Sequence, residues 1–263
     1  MPEISRPEQS ELENVFKLKY GNGKLGWVPA MRQHFGYYSP EDYYEALVSR
    51  LVTGGCSWLD IGCGRMLFLS NPALARVLAN RCGLLVGVDP DPTIEENPFV
   101  HERVRTGMED FHTEHTFDLV TMRMVAEHVQ NPTQFISSLA RCTHPGSLIV
   151  IYTVNAWSPV PVITRLMPFA LHHPFKYFLW NSEKKDTFPT AFRMNTRRHL
   201  QQLLNAGGFQ EAFFVYLDDC RTFARFRLLQ FAELSLRRAF HAFSLVYPEN
   251  CLLGVYRRQE AGS

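Results

Sequence analysis

Asp60, Gly62 and Gly64 stand at the end of an apolar run that begins at Ser57, with Cys63 between the two glycines. A second apolar run, residues 84–88, ends on another carboxylate, Asp89, which Pro90 follows. Glycine permits positive φ and lets backbone approach a bound molecule closely. A carboxylate at the end of the neighbouring strand can accept two hydrogen bonds from the hydroxyls of a ribose. Together the two pieces describe a nucleoside-binding edge at the carboxyl ends of parallel strands.

The motif resembles that of the class I S-adenosylmethionine-dependent methyltransferases, an acidic residue, any residue, then Gly-x-Gly-x-Gly. Asp60 to Gly64 fit it up to the third glycine, where Met66 stands. The rival Gly-x-Gly-x-x-Gly fingerprint of dinucleotide oxidoreductases fails at Leu67. Downstream, residues 106–111 follow a short strand near Val104 and resemble the family's adenine-binding loop, with Gly107 where an Asp is frequent. Residues 117–129 read as strand, loop and helix start, then come Asn131-Pro132, His144-Pro145-Gly146 and an apolar strand over 147–152. The resemblance runs motif by motif over roughly residues 57 to 155. It implies S-adenosyl-L-methionine as cofactor, with backbone of Gly62, Cys63 and Gly64 around the methionine moiety and Asp60 orienting its amino group. It places Asp89 and Pro90 at the ribose, Met108 and Glu109 at adenine, and Arg123 backbone at the amino-acid end. The Arg123 side chain is equally suited to a surface ion pair.

Methyl transfer from a sulfonium is an in-line displacement that asks mainly for positioning and exclusion of water. A general base is needed only for a protonated acceptor. His128 is the candidate catalytic base, with helix capping or packing as its other reading. In related quinone O-methyltransferases a Glu-x-x-Glu-His run holds a divalent metal; here Met124 replaces the first Glu before Glu127-His128, so no metal site is expected. The resemblance implies transfer to a small-molecule or lipid-linked acceptor, at oxygen rather than nitrogen or carbon. The competing reading is a cofactor-binding but catalytically silent subunit that supports a partner enzyme.

These residues require an α/β fold: a Rossmann-like, seven-stranded, mostly parallel sheet with helices on both faces and lid insertions. The 263 residues suit one methyltransferase domain over 1–263. Residues 1–53 form an N-terminal arm and lid helix, the arm to about residue 20 loosely docked and the helix running from Pro40, capped by Ser39, to about Val52. His34, Tyr37, Tyr38 and Tyr43 there either wall an acceptor pocket or dock the helix. Asn71-Pro72 opens a late helix after the glycine turn, and the proline-rich stretch after Asp89 leaves no room for a full one. Thr196 or Asn195 caps a helix ended by Gly207-Gly208, and strands from Phe209 and Cys251 close the sheet as an antiparallel pair.

Two insertions stand out. Residues 156–196 are aromatic and proline-rich, with His172-His173 and a possible Asp186–Arg193 ion pair. Residues 221–247 read as helix with apolar residues on two faces, which predicts packing on two sides. Basic residues among large apolar ones suit an amphiphilic acceptor or peripheral contact with an anionic membrane. A net charge of +1, from 27 basic and 26 acidic residues, argues against nucleic acid as partner. The polar start carries no signal-peptide pattern and no run is long enough for a transmembrane segment. With six scattered cysteines expected as reduced thiols, the cytoplasm is the expected location.

Overall fold

The computed structural model describes residues 4–21, 23–159 and 190–260. Seven strands form one sheet in the order β3-β2-β1-β4-β5-β7-β6. They are β1 (Ser57–Ile61), β2 (Leu84–Val88), β3 (Glu102–Val104), β4 (Phe117–Arg123), β5 (Thr143–Val154), β6 (Phe209–Leu217) and β7 (Cys251–Arg258). β1 to β5 pair in parallel, and β7 runs antiparallel to both β5 and β6. Near-continuous apolar sequence in β1, β2 and β4 is what strands covered on both faces require.

Alternate strand residues face two cores. Trp58, Leu85, Leu119 and Val150 join one with residues of α1 (Gln9–Tyr20), α3 (Pro40–Leu51) and α4 (Pro72–Arg81). Leu59, Val86, Val120 and Ile149 join the other with α5 (Pro132–Arg141) and α6 (Arg197–Ala206). The caps follow the sequence. The Asp42 carboxylate accepts from Ser39 N (2.7 Å), Asn71 Oδ1 from Leu74 N (3.1 Å) and Thr196 Oγ1 from His199 N (3.1 Å). Only a 3-10 turn, Pro92–Glu96, fills the crossover from β2 to β3.

Four expectations need correction. The N-terminal arm is helix α1, whose Leu12, Val15 and Phe16 are buried, and a second helix, α2 (Trp27–His34), follows it. No helix starts within residues 117–129; turns and irregular backbone follow β4, and α5 begins at Pro132. β5 starts at Thr143 rather than Ser147, because Phe117 pairs with Thr143 across an irregular register before Leu119 pairs with Leu148. Within 221–247 the helix is α7 (Arg227–Ala242), and it buries one side only, through Gln230, Glu233 and Leu234. Most of the 156–196 insertion, including His172, His173 and Asp186, lies outside the described residues. No helix among the described residues is long and apolar enough to cross a membrane.

The N-terminal helices are tied down by charge as well as by apolar contact. Lys19 Nζ lies 3.1 Å from Asp42 Oδ1 and 3.0 Å from Glu45 Oε1, all three side chains being buried. Arg32 reaches the other Asp42 oxygen, and Asn71 Nδ2 donates to Glu45 Oε2 at 2.8 Å. Burial pushes the Glu45 carboxyl up to about 7, against the pull of Lys19.

Candidate functional site at the carboxyl edge of the sheet

The strand order reverses between β1 and β4, which makes the crevice there the expected ligand position in an open α/β sheet. Asp60 stands at that crevice, in register with Thr121 of β4. Thr121 Oγ1 donates to Asp60 Oδ1 at 2.5 Å and accepts from Trp58 Nε1 at 2.7 Å, so a buried relay fixes the carboxylate. Burial pushes the Asp60 carboxyl up to about 7; the Thr121 hydroxyl and the Arg123 guanidinium oppose this and Asp89 adds to it.

After Asp60 the backbone turns through Gly62 at φ +69° and Gly64 at φ +44°. A Cβ on Gly62 would lie 2.3 Å from Val125 Cγ2, so the turn is closed by the loop after β4 and admits only glycine there. Gly64 N donates to Asp89 Oδ2 at 2.8 Å, and Asp91 N donates to Asp89 Oδ1 at 2.8 Å. Both oxygens of Asp89 are thus oriented by backbone, and each keeps acceptor capacity. Burial raises the Asp89 carboxyl above the usual carboxylate range, while those two amides hold it back. Cys63 is buried, and Pro90 is exposed beside Asp89.

Met108 is buried in a 3-10 turn after β3, and Glu109 is half-buried beside it with its carbonyl accepting from Ser138 Oγ at 3.2 Å. Arg123 ends β4, and its guanidinium pairs with Glu41 of α3 at 3.6 Å, the ion pair that the sequence left open. Across the edge, the candidate residues follow the strand order: Met108 and Glu109 after β3, Asp89 after β2, Asp60 at the end of β1 with Gly62 to Gly64 following it, and Arg123 at the end of β4.

A family model described as a methyltransferase domain matches residues 24–211, more than half of the chain. The chain belongs to the class I S-adenosylmethionine-dependent methyltransferases. A ubiquinone biosynthesis O-methyltransferase from Xanthomonas oryzae pv. oryzae is 33% identical over 157 residues, 54% of this chain and 63% of that protein. The match thus spans less than two thirds of the curated relative. Among solved structures, an S-adenosylmethionine-dependent methyltransferase from Mesorhizobium loti matches with TM-score 0.52 at 18% identity, covering 81% of this chain and 97% of that one. The magnesium protoporphyrin IX methyltransferase of Synechocystis PCC 6803, solved with bound SAH, matches with TM-score 0.51 at 14% identity, covering 95% and 96%.

Other residues of interest stand apart from the glycine turn. Glu127 is buried, with Oε2 accepting from Thr153 Oγ1 at 2.6 Å while Asn195 Nδ2 donates to the same hydroxyl at 2.8 Å. Burial raises its carboxyl above the usual range. His128 is half-buried in the loop after β4, its N–H bonded to Val125 O at 2.8 Å. Tyr37 is buried and accepts from Cys220 N at 2.8 Å; Tyr38 meets the Phe16 ring edge-on, and the Arg6 guanidinium lies over Tyr43. Those contacts dock the N-terminal helices, and His34 is exposed against Phe35. Arg193 donates to Gln130 O at 2.6 Å.

Sequence reasoning missed Thr121, Asn97 and Glu41. Thr121 is the one hydroxyl in an otherwise apolar stretch of β4, a legible signal. Buried Asn97 donates to Gly64 O at 2.9 Å and so braces the glycine turn from the β2–β3 crossover. Glu41 pairs with both Arg123 and Arg221, partners too distant in sequence for any local pattern to disclose.

Proposed function

We propose that this protein transfers a methyl group from S-adenosylmethionine to an oxygen atom of a small-molecule or lipid-linked acceptor. The observation that carries this reading is the buried Asp60 carboxylate beside the positive-φ turn at Gly62. A carboxylate whose ionisation is resisted by burial favours a cationic ligand, and the methionine ammonium is one. The cofactor, when bound, supplies a methyl group on a positively charged sulfur that leaves readily.

In this reading Asp60 holds the ammonium, while backbone of Gly62, Cys63 and Gly64 lines the methionine moiety. Asp89 receives the ribose hydroxyls on oxygens already aimed by Gly64 N and Asp91 N, Met108 packs on the base, and Glu109 offers it a polar contact. Arg123 contributes backbone at the amino-acid end while its side chain holds Glu41. His128 takes the proton of a hydroxyl acceptor. The choice of oxygen is supported by the relative named as a ubiquinone biosynthesis O-methyltransferase. The six cysteines are free and buried, which suits work in a reducing cytoplasm.

Calorimetry with S-adenosylmethionine, followed by product analysis after incubation with labelled cofactor and cell extract, tests the proposal. Cofactor binding and a labelled O-methyl product support it. Tight binding with no transfer to any acceptor favours the silent-subunit reading, and absence of binding removes both.

A further inference from the structure

Helix α7 and the residues just after it present a broad apolar surface. Leu228 is 85% exposed, Phe243 77% and Val246 73%, and Leu229, Phe231 and Leu236 are also exposed. Large apolar side chains grouped on one surface mark an interaction site. The inward side of the same helix is engaged with the body of the protein: Arg237 pairs with Asp218 and lies over the Tyr37 ring, and Glu233 accepts from Phe223 N.

The charges around the exposed surface have one sign. Arg227 and Arg238 are exposed, whereas the only acidic residue between 227 and 246, Glu233, is buried. The Arg227 guanidinium sits 5.1 Å above the ring of Trp27, itself 37% exposed, so α2 extends the surface with an aromatic residue of the kind that favours a membrane–water interface. Phe35, which follows α2, meets the ring of Phe231 on α7 at 5.5 Å.

We infer that the α7 surface, with Trp27 at its edge, docks the protein on an anionic lipid bilayer, the apolar side chains entering the headgroup boundary and the arginines meeting lipid phosphates. A second copy of the chain is a poorer occupant. An isologous contact would set this surface against itself, bringing Arg227 and Arg238 of each copy towards their like-charged counterparts. An anionic bilayer offers apolar and negative groups wherever the surface lands. The inference is independent of the methyl-transfer reading.

The test is co-sedimentation of the full chain with two vesicle types, phosphatidylcholine alone and phosphatidylcholine with roughly a third phosphatidylglycerol. Binding is expected to the anionic vesicles only and to fall with added salt. Leu228→Glu with Phe243→Glu, both at exposed positions, should weaken it at least about tenfold with unchanged melting temperature and cofactor affinity. Arg227→Ala with Arg238→Ala should weaken it about fivefold per arginine removed. No binding by the unaltered chain, or equal binding to both vesicle types, overturns the inference. A dimer in solution that the Leu228→Glu, Phe243→Glu chain no longer forms overturns it in favour of self-association.

Discussion

Asp60 faces opposite demands in the free and bound protein. Its folded-state value of about 7 lies above the ordinary carboxylate value, so it favours the fold below about pH 4 and loses that contribution as pH rises through about 7. A bound ammonium needs the ionised form. Affinity for S-adenosylmethionine should therefore climb by up to about tenfold per pH unit below about pH 7 and level off above it. Calorimetry across pH checks this, and Asp60→Asn should give a weaker, flat profile. Asp89→Ala removes the acceptor of Gly64 N and Asp91 N together with the proposed ribose contact. It should weaken cofactor binding at least about tenfold in a folded chain; unchanged affinity would take Asp89 out of the site. At Gly62 the obstacle is twofold, Val125 Cγ2 and the positive φ. Gly62→Ala should therefore abolish measurable binding, and adding Val125→Ala should recover it only in part, because the backbone cost of about 1–2 kcal/mol persists.

At the scale of elements, the strands and capped helices were legible because their determinants are local. Asn71-Pro72 and Thr196 each announce a helix start, and Asp60 and Asp89 each close an apolar run. α1 was missed because part of what fixes it lies far along the chain: Lys19 needs Asp42 and Glu45, and Glu11 pairs with Arg50. α7 was misjudged for another reason. Apolar residues around its circumference state what water disfavours, and they do not state which of them another element covers. Lys19→Met tests the first point. It leaves buried Glu45 without its cation, while Asp42 keeps Arg32, and should cost about 3 kcal/mol, read from the urea midpoint. The loop after β4 supports a separate expectation. With Glu127 engaged by Thr153 and Met124 in place of a carboxylate, turnover should survive treatment with a chelator; loss that magnesium restores would contradict this.

Considered whole, the molecule joins its N-terminal helices to the carboxyl edge of the sheet through Glu41, which meets Arg123 at the end of β4 and Arg221 after β6. Glu41→Gln should speed proteolytic cleavage in the 21–26 connection several-fold, to about the degree set by one lost partly buried pair. An unchanged digestion rate would show that apolar contacts suffice. The sheet order carries a consequence for synthesis. Among the described residues β6 has one neighbour, β7, and β7 alone connects it to β5. Domains begin to fold from the N-terminal side as the ribosome delivers chain, so β1 to β5 can assemble early. β6 then emerges with both edges unpaired and waits for more than thirty residues of intervening chain before Cys251 arrives. During that interval the open edges of β5 and β6 are the places where a nascent chain would pair with the wrong partner. A ribosome stalled just short of Cys251 would therefore hold a molecule whose cofactor edge is built and whose far edge is still adhesive.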